Sequence, residues 1–353
     1  MVTRGRRLAW RLLLAAVLGL PGPWAAWEDT AAAAPAADNG AVILMYHRFG
    51  EADYPSTNIR TDQFLAHLEE LTSGRYRVLP LPEIVEALER NRTLPDRAIG
   101  ITIDDAFASV YAEAWPRLKA AGIPFTLFVS TDAADQSLAG YMSWAQVREM
   151  AADELVTIGH HSARHGHMPK LSAAAARAGI ERASRRFEEK LGAVPELFAY
   201  PYGEISLELR DIVAEAGFKA AFGQHSGALA RSGDRFALPR FPLNEAYGNL
   251  ERFRLVAGAL PLPVEDVLPA DPLIRPANNP PLFGFTVAEG IKGLSALNCF
   301  AGASEISLER LGERRIETRL SQPFKPGRQR INCTLPGPQG RWRWFGTQFY
   351  VLP

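Results

Sequence analysis

From Ala41 onward, short apolar runs alternate with longer segments in which apolar residues recur every three or four positions. The short runs predict β-strands, and the periodic segments predict amphipathic helices. Strands alternating with helices of about 10–15 residues favour βαβ units and a mostly parallel sheet, and six or more such units in about 210 residues favour a barrel. The predicted strands cover residues 41–47, 76–81, 98–104, 124–130, 155–161, 197–203 and 219–224, and the predicted helices cover 61–73, 82–90, 108–121, 144–152, 173–191 and 207–216.

The pattern changes near residue 260. Residues 261–281 contain seven prolines, which favours a linker rather than a regular element. The remaining residues, 282–353, show short β-like runs separated by Gly and Pro, which predicts a small all-β module resembling a sandwich. We therefore expect an α/β domain over residues 38–260, followed by the linker and the β module.

The N-terminal segment, residues 1–37, predicts export. Basic residues precede an apolar run, Leu8–Leu20, and small residues then lead to an A-P-A sequence ending at Ala36. This order is typical of a cleavable signal peptide. The apolar run contains Arg11 and falls short of the roughly 20 residues of a spanning helix, although an uncleaved N-terminal anchor is the alternative. We expect a periplasmic or extracellular protein with no other integral membrane segment.

Composition narrows the class of protein. The 353 residues include 39 basic and 39 acidic residues, a balance that excludes a strongly basic nucleic-acid binder. The two cysteines, Cys299 and Cys333, both lie in the predicted β module. In an exported chain they are expected to pair, which would stabilise the module by about 3–4 kcal/mol, and two buried thiols are the alternative.

Polar clusters end two of the predicted strands. Asp104 and Asp105 close the run 98–104, and His161 and His165 follow another strand at a spacing that places two imidazoles on one side of a helical turn. The carboxyl ends of parallel strands form the ligand-binding edge of such a sheet. Asp105 alone would be read as a helix cap beside a solvated Asp104. Together with the histidines, the acids favour a metal site of two histidines and one aspartate.

These motifs resemble those of the polysaccharide deacetylases of the NodB-homology group, carbohydrate esterase family 4. The family pattern T-F-D-D-G stands here as TIDDA at 102–106, H-[ST]-x-x-H stands as HSARH at 161–165, and R-x-P-Y-G stands as AYPYG at 199–203. The resemblance covers about residues 41–245. It implies a distorted parallel (β/α) barrel and a hydrolase of linear amide bonds that removes N-acetyl groups from sugar polymers.

Carried over by position, the resemblance implies a divalent metal, with zinc as the expected ion, held by Asp105, His161 and His165. It implies that Asp104 is the general base. It also implies that the backbone N–H of Tyr202 binds the oxyanion of the tetrahedral intermediate.

Three departures from the family pattern change the expected roles. No histidine after His165 lies in a late motif that could protonate the departing amine, so His47 is expected as the general acid. An early Met-Tyr-His motif of this kind resembles the circularly permuted exopolysaccharide deacetylases, and a core or solvated histidine is the alternative. Ala199 replaces the arginine that orients the base; Arg240 is expected to substitute for it, with a structural ion pair as the alternative. Ala106 replaces a glycine and is strained if its φ is positive.

The aromatic residues Trp144 and Tyr202 are candidates for stacking on sugar rings, and core packing is an equal alternative for Trp144. The sequence thus predicts an exported, metal-dependent N-deacetylase acting on a polymer or oligomer of N-acetylglucosamine. Exopolysaccharide, chitin oligosaccharide and peptidoglycan are all open as substrates. A polysaccharide O-acetyl esterase and a non-catalytic carbohydrate-binding protein with the same fold are the alternatives.

Overall fold

The computed structural model describes residue 1, residues 39–302 and residues 304–353. Apart from residue 1, the predicted export segment 1–37 lies outside the described residues. Within these ranges, the helices are all too short or too polar to span a membrane.

The N-terminal part of the described chain alternates strands and helices along the sequence, as predicted. Its strands are β1 (Gly40–Tyr46), β2 (Arg48–Phe49), β3 (Asn58–Ile59), β4 (Arg77–Val78), β5 (Ala98–Asp104), β6 (Phe125–Val129), β7 (Val156–His160), β8 (Leu197–Ala199), β9 (Ala220–Phe222), β10 (Leu229–Ala230) and β11 (Phe241–Pro242). Its helices are α1 (Thr61–Thr72), α2 (Leu81–Glu89), α3 (Trp115–Ala120), α4 (Thr131–Asp135), α5 (Trp144–Ala151), α6 (Ala173–Leu191), α7 (Leu207–Glu215) and α8 (Leu250–Ala257), and a π-helical turn, Val110–Ala114, leads into α3.

Nine of these strands form one curled sheet. Its order is β10-β1-β5-β6-β7-β8-β9, with β11 beside β1 and β4 beside β5, and all neighbours except β10 and β1 are parallel. Leu238 bridges to Phe222 at the end of β9, so the segment that leads to β11 brings the last strand of the sheet back toward the first. The predicted distorted parallel barrel is therefore confirmed.

Burial explains why the central strands read as continuous apolar runs. Every residue of β5 and of β6 is buried, because a parallel sheet covered on both faces leaves neither face to solvent. β5 and α6 have the bounds that the sequence predicts. The strand predicted over 197–203 ends instead at Ala199, since residues 201–203 form a 3₁₀ turn. The sequence did not predict the short elements α4, α8, β10 and β11, because a segment of so few residues is too short to show a clear hydrophobic period.

The C-terminal part forms two sheets that share an apolar core. Its strands are β12 (Leu260–Pro261), β13 (Val264–Leu268), β14 (Leu273–Ile274), β15 (Gly284–Val287), β16 (Asn298–Phe300), β17 (Ile306–Leu311), β18 (Arg315–Leu320), β19 (Gly327–Pro336) and β20 (Trp342–Val351). One sheet has the order β12-β20-β19-β16 with β14 beside β20, and the other has the order β13-β15-β18-β17. Cys299 on β16 and Cys333 on β19 are joined in a disulfide.

The proline-rich segment differs from its prediction as a linker without regular elements. It contains β13, which pairs with β15, and β14, which pairs with β20. Both strands lie at sheet edges, where Pro263 and Pro269 flank β13 without removing a ladder hydrogen bond. The segment is therefore built into the β module, and the domain boundary near residue 260 stays a prediction.

Candidate metal and catalytic site

The predicted site residues meet at the carboxyl edge of the parallel sheet. His47 directly follows β1, Asp104 ends β5 and His161 directly follows β7. Tyr202 lies in the 3₁₀ turn after β8, and Arg240 directly precedes β11. Because parallel strands place their carboxyl ends at one edge, the residues that end or follow β1, β5, β7 and β8 come together there although they are far apart in the sequence. Arg240, which precedes its strand, joins them through its contact with Asp104.

Asp105, His161 and His165 converge on a small volume. Their candidate ligand atoms all lie within 4.8 Å of one another. Nε2 of His165 lies 3.0 Å from Oδ1 of Asp105, and Nε2 of His161 lies 3.4 Å from the same oxygen. Oδ1 of Asp105 and Nε2 of His161 are buried and have no hydrogen-bond partner among the described residues. Buried polar atoms without partners are costly, so these convergent lone pairs fit a site for a cation.

A backbone carbonyl orients the first histidine of this cluster. Nδ1 of His161 lies 2.7 Å from the carbonyl oxygen of Ala199. A carbonyl can only accept, so Nδ1 carries a proton, and in the neutral imidazole the lone pair is then on Nε2, the nitrogen that faces Asp105. Ala199 stands where the family pattern has an arginine, yet it contributes through its main chain. Sequence reasoning missed this role because every residue has a carbonyl.

The cluster favours an ionised Asp105. Burial disfavours the charged carboxylate, but the neighbouring imidazoles of His161 and His165 outweigh it and hold the pKa of Asp105 well below its usual value. Burial likewise disfavours a charged His165, yet contact with Asp105 raises the pKa of His165 overall. A carboxylate between two imidazoles is a donor set suited to a divalent metal.

Asp104 and Arg240 form a buried two-point ion pair beside this cluster. Nη1 and Nη2 of Arg240 donate to the two carboxylate oxygens of Asp104 at 2.7 and 2.8 Å, and both side chains are fully buried. Arg240 also donates to the Gly223 carbonyl at 2.9 Å and to the Thr102 hydroxyl at 3.1 Å. Burial opposes ionisation of Asp104, but Arg240 and nearby histidines hold its pKa below the usual value. The predicted partner thus lies in contact with the predicted base.

His47 lies at the same edge of the sheet. Its Nε2 lies 3.9 Å from Oδ2 of Asp104. Burial lowers the pKa of His47, and the nearby carboxylates of Asp104 and Asp105 only partly oppose this shift. Its position at this edge beside Asp104, and not the shift of its pKa, is what makes His47 the candidate general acid.

The metal motif does not lie on a helical turn, which corrects the sequence-based expectation. Residues 161–167 contain no helix, and the two imidazoles meet because the backbone after β7 turns sharply. Ser162 has φ of 60° and His165 has φ of 43°, both in the left-handed region. The spacing works here through an irregular loop and not through the pitch of a helix.

Left-handed backbone recurs around the site. Asp105, Ala106 and Tyr202 have φ of 76°, 55° and 59°. This conformation costs about 1–2 kcal/mol for a residue with a Cβ and persists where its surroundings impose it. Ala106 stands in the glycine position of the family motif. Its positive φ means that its backbone is strained, which is one of the two possibilities that the sequence left open.

Trp144 does not face the site. Its side chain is only 9% exposed, its indole N–H donates to Asp135 at 2.7 Å, and its ring lies edge-on to Phe187. It packs from the start of α5 against α6, in agreement with the packing alternative. Tyr202 does lie at the site, edge-on to His165 with ring centroids 4.4 Å apart. Tyr141 lies close enough to Asp105 for the carboxylate to add to burial in raising the pKa of Tyr141, and no motif pointed to it.

Comparison with known proteins gives consistent results. The polysaccharide deacetylase family model matches residues 91–221. The poly-β-1,6-N-acetyl-D-glucosamine N-deacetylase of Escherichia coli K12 is 25% identical over 255 residues, which are 60% of this chain but 38% of that protein. The protein of the same name from Staphylococcus aureus MSSA476 is 22% identical over 233 residues, 59% of this chain and 80% of that protein. The structure of IcaB from Ammonifex degensii matches with a TM-score of 0.56 at 27% identity, over 62% of this chain and 97% of that one.

Proposed function

We propose that this chain, which matches the polysaccharide deacetylase family model over residues 91–221, is a deacetylase of the NodB-homology group that removes N-acetyl groups from a polymer or oligomer of N-acetylglucosamine. One observation carries the proposal. Buried ligand atoms of Asp105 and His161, which have no hydrogen-bond partner in the described part of the chain, meet His165 directly beside the Asp104–Arg240 pair. A metal-assisted hydrolase needs this combination of an open cation site and an adjacent base.

Asp105, His161 and His165 would hold the metal, and two imidazoles with one carboxylate are a donor set typical of catalytic zinc. A bound metal would supply Lewis-acid chemistry that acidifies a water molecule and polarises the acetamide oxygen.

The remaining steps belong to side chains and backbone of this chain. Asp104 takes the proton of the attacking water, and Arg240 keeps its carboxylate ionised and fixed in direction. The N–H of Tyr202 donates to the oxyanion as the carbonyl becomes tetrahedral. His47 gives a proton to the departing nitrogen, so the amide bond breaks to release acetate and a free amine on the sugar.

The two curated relatives described above carry the name of a poly-β-1,6-N-acetyl-D-glucosamine N-deacetylase, which makes an exopolysaccharide the first substrate to test. Chitin oligosaccharide and peptidoglycan share the same acetamido group. All three substrates occur outside the cytoplasm, which agrees with the export signal predicted over residues 1–37. The protein acts in the periplasm or outside the cell, released or held by that segment.

Acetate release from a panel of acetylated glycans tests the proposal. The full chain, reconstituted with Zn²⁺, is assayed on poly-β-1,6-N-acetylglucosamine, chitin oligosaccharides, peptidoglycan and acetyl-xylan, with Asp105→Ala as the control that lacks a ligand. Release from an amide substrate that a chelator stops and zinc restores is expected. Release from acetyl-xylan alone identifies an O-acetyl esterase. No release, combined with glycan binding, identifies a carbohydrate-binding protein and contradicts the proposal.

A further inference from the structure

The β module contacts the turn that carries Tyr202. Gln348 lies on β20 and is 4% exposed. Its Nε2 donates to the carbonyl oxygens of Tyr202 and Gly203, each at 2.9 Å. The two carbonyls of one tight turn at the predicted active site are thus held by a single side chain from the other part of the molecule.

Arg330 fixes the direction in which the Gln348 amide points. Nε of Arg330 donates to Oε1 of Gln348 at 2.8 Å, so the amide nitrogen must face the turn. Arg330 and Gln348 stand directly opposite each other on β19 and β20. The pair is therefore set by the strand register of the module itself.

The turn is one that needs external support. Tyr202 and Gly203 both have left-handed φ, 59° and 65°, and such backbone persists where neighbouring groups hold it. On one side the turn lies against the segment after β9, since a Cβ at Gly203 would come within 2.3 Å of the backbone nitrogen of Gln224. The β module supplies the contacts on the other side.

Two further module residues reach the same turn. The guanidinium of Arg328 lies 5.3 Å from the centre of the Tyr202 ring. Tyr350 stacks on His167, and His167 stacks on Tyr202, with centroid distances of 5.8 and 4.7 Å. Aromatic stacks of this kind add to the burial of their rings and hold them in one arrangement.

We propose that the β module is a working part of the active site and that Gln348 is its positioning residue for the Tyr202 turn. The inference rests on the proposed function, in which the Tyr202 N–H binds the oxyanion. Gln348 holds the two peptide planes that follow Tyr202. The Gly203 N–H in the first of these planes donates to the Tyr200 carbonyl at 2.8 Å and closes the turn around the Pro201–Tyr202 peptide, which carries the Tyr202 N–H. Holding the carbonyls therefore limits the direction in which that N–H points. A donor aimed at the oxyanion acts on the transition state and not on the bound substrate.

The test compares Gln348→Met with Gln329→Met in the zinc-loaded full chain. Gln348→Met keeps most of the side-chain volume and removes both donors. Gln329 lies on β19 and donates to the Lys325 carbonyl at 3.0 Å, so it is a matched control within the same module. The readouts are hydrogen exchange of residues 197–206 by mass spectrometry, and kcat and KM for acetate release from the best amide substrate.

For Gln348→Met, we expect faster hydrogen exchange in residues 197–206 and unchanged exchange elsewhere. We also expect a kcat about tenfold lower and a KM within about twofold of the wild type, because the hydrogen bond to the oxyanion acts only in the transition state. Gln329→Met is expected to match the wild type in both readouts.

Unchanged exchange and unchanged kcat in Gln348→Met would overturn the inference. A higher KM with unchanged kcat would also overturn it, because it would make Gln348 a substrate contact. An equal fall in kcat in both variants would do so as well, because it would mean general damage to the module. If the wild type releases no acetate from any amide, the proposed function fails, and the exchange comparison still decides whether Gln348 positions the turn.

Discussion

The histidines at the rim of the parallel sheet and those in its core have opposite surroundings, although two of them are adjacent in sequence. His161 faces the carboxylate of Asp105 at the rim. His160 is fully buried among three aromatic rings, those of Phe187, Phe198 and Phe218. Successive side chains of a strand point to opposite faces, which separates the two imidazoles. A run of histidines therefore marks a site only where their nitrogens meet a carboxylate.

The two groups also differ in how their nitrogens are satisfied. In the core, Nδ1 of His67 accepts from the Tyr46 hydroxyl at 3.0 Å and its Nε2 donates to the Gly248 carbonyl at 2.8 Å. Burial lowers the pKa of His67 to about 4 and that of His160 to about 3, so both are neutral in the fold. Nε2 of His161 lies at the rim without a partner among the described residues. Imidazole nitrogens that all have hydrogen-bond partners indicate a packing role, and an imidazole nitrogen without one indicates a metal ligand.

The largest expected difference is between a variant that removes the rim histidine and one that removes the adjacent core histidine. His161→Ala is expected to lose the bound metal and all acetate release, because it removes a ligand. His160→Asn keeps an acceptor for the Ser162 N–H and is expected to keep the metal, with some loss of stability from the shortened core side chain. Metal content after gel filtration, measured by mass spectrometry, decides between them. Equal metal loss in both variants would contradict the assignment of one histidine to each face.

Asp104→Asn is expected to lower kcat by about 10³–10⁴-fold while the metal is retained, because an amide cannot take the proton of the attacking water. The substitution also leaves Arg240 facing a neutral group, which is expected to cost about 3 kcal/mol of the free energy of unfolding. The kinetics are therefore measured well below the unfolding transition found by circular dichroism. A kcat within tenfold of the wild type would remove Asp104 as the base.

His47→Gln is expected to lower kcat for amide substrates by about 10²-fold with little change in KM. An aryl acetate has a leaving group that needs no proton, so its hydrolysis is expected to be nearly unaffected. His225→Gln is the control at another partly buried histidine and is expected to leave both rates near those of the wild type. An equal loss of rate on amide and aryl ester would exclude His47 as the acid.

The pH dependence of the free energy of unfolding tests whether the core histidines are neutral in the folded protein. Because burial lowers the pKa of His67 to about 4, the unfolded chain binds a proton on this residue below its ordinary pKa of about 6.5, and the folded chain does not. This difference in proton binding leaves the free energy of unfolding unchanged above about pH 6.5 and lowers it as the pH falls toward 4. The loss of free energy of unfolding between about pH 7.5 and pH 5 is about 2 kcal/mol.

His67→Gln is therefore expected to lose about 2 kcal/mol less than the wild type over this pH range in urea unfolding. The variant will be less stable at neutral pH because it loses contacts, so the slope with pH is the decisive quantity. Parallel slopes would show that His67 is not held neutral by burial.

The smallest expected effect concerns the strained backbone at the rim. Ala106→Gly is expected to raise the free energy of unfolding by about 0.5–1 kcal/mol, because glycine adopts a positive φ without steric cost. Ala108→Gly, in the helical turn that follows, is expected to lower it by a similar amount. Thermal unfolding of the two variants gives the comparison, and a loss of stability in both would mean that Ala106 is not strained.

Local pattern explains what could be predicted. β5 and α6 have their predicted bounds because each is long enough to show its period and ends at a clear signal. The same applies to the motifs: Asp104, Asp105 and His161 were expected at one edge because parallel strands share their carboxyl edge. The strands within the proline-rich segment were missed because edge strands tolerate flanking prolines that local rules treat as breakers.

The sequence by itself determined the order of strands and helices, the presence of the metal-binding residue types and the edge of the sheet at which they gather, because these depend on local periodicity and on the direction of parallel strands. The family pattern offered Arg240 as a partner for the base, but only the tertiary structure decided that Arg240 bonds to both carboxylate oxygens of Asp104. Only the tertiary structure decided that the Ala199 carbonyl orients His161 and that Gln348 holds the Tyr202 turn. These contacts join segments far apart in the chain, and two of them use backbone carbonyls, which every residue has. Their existence depends on where the chain returns in space, and no local pattern encodes that.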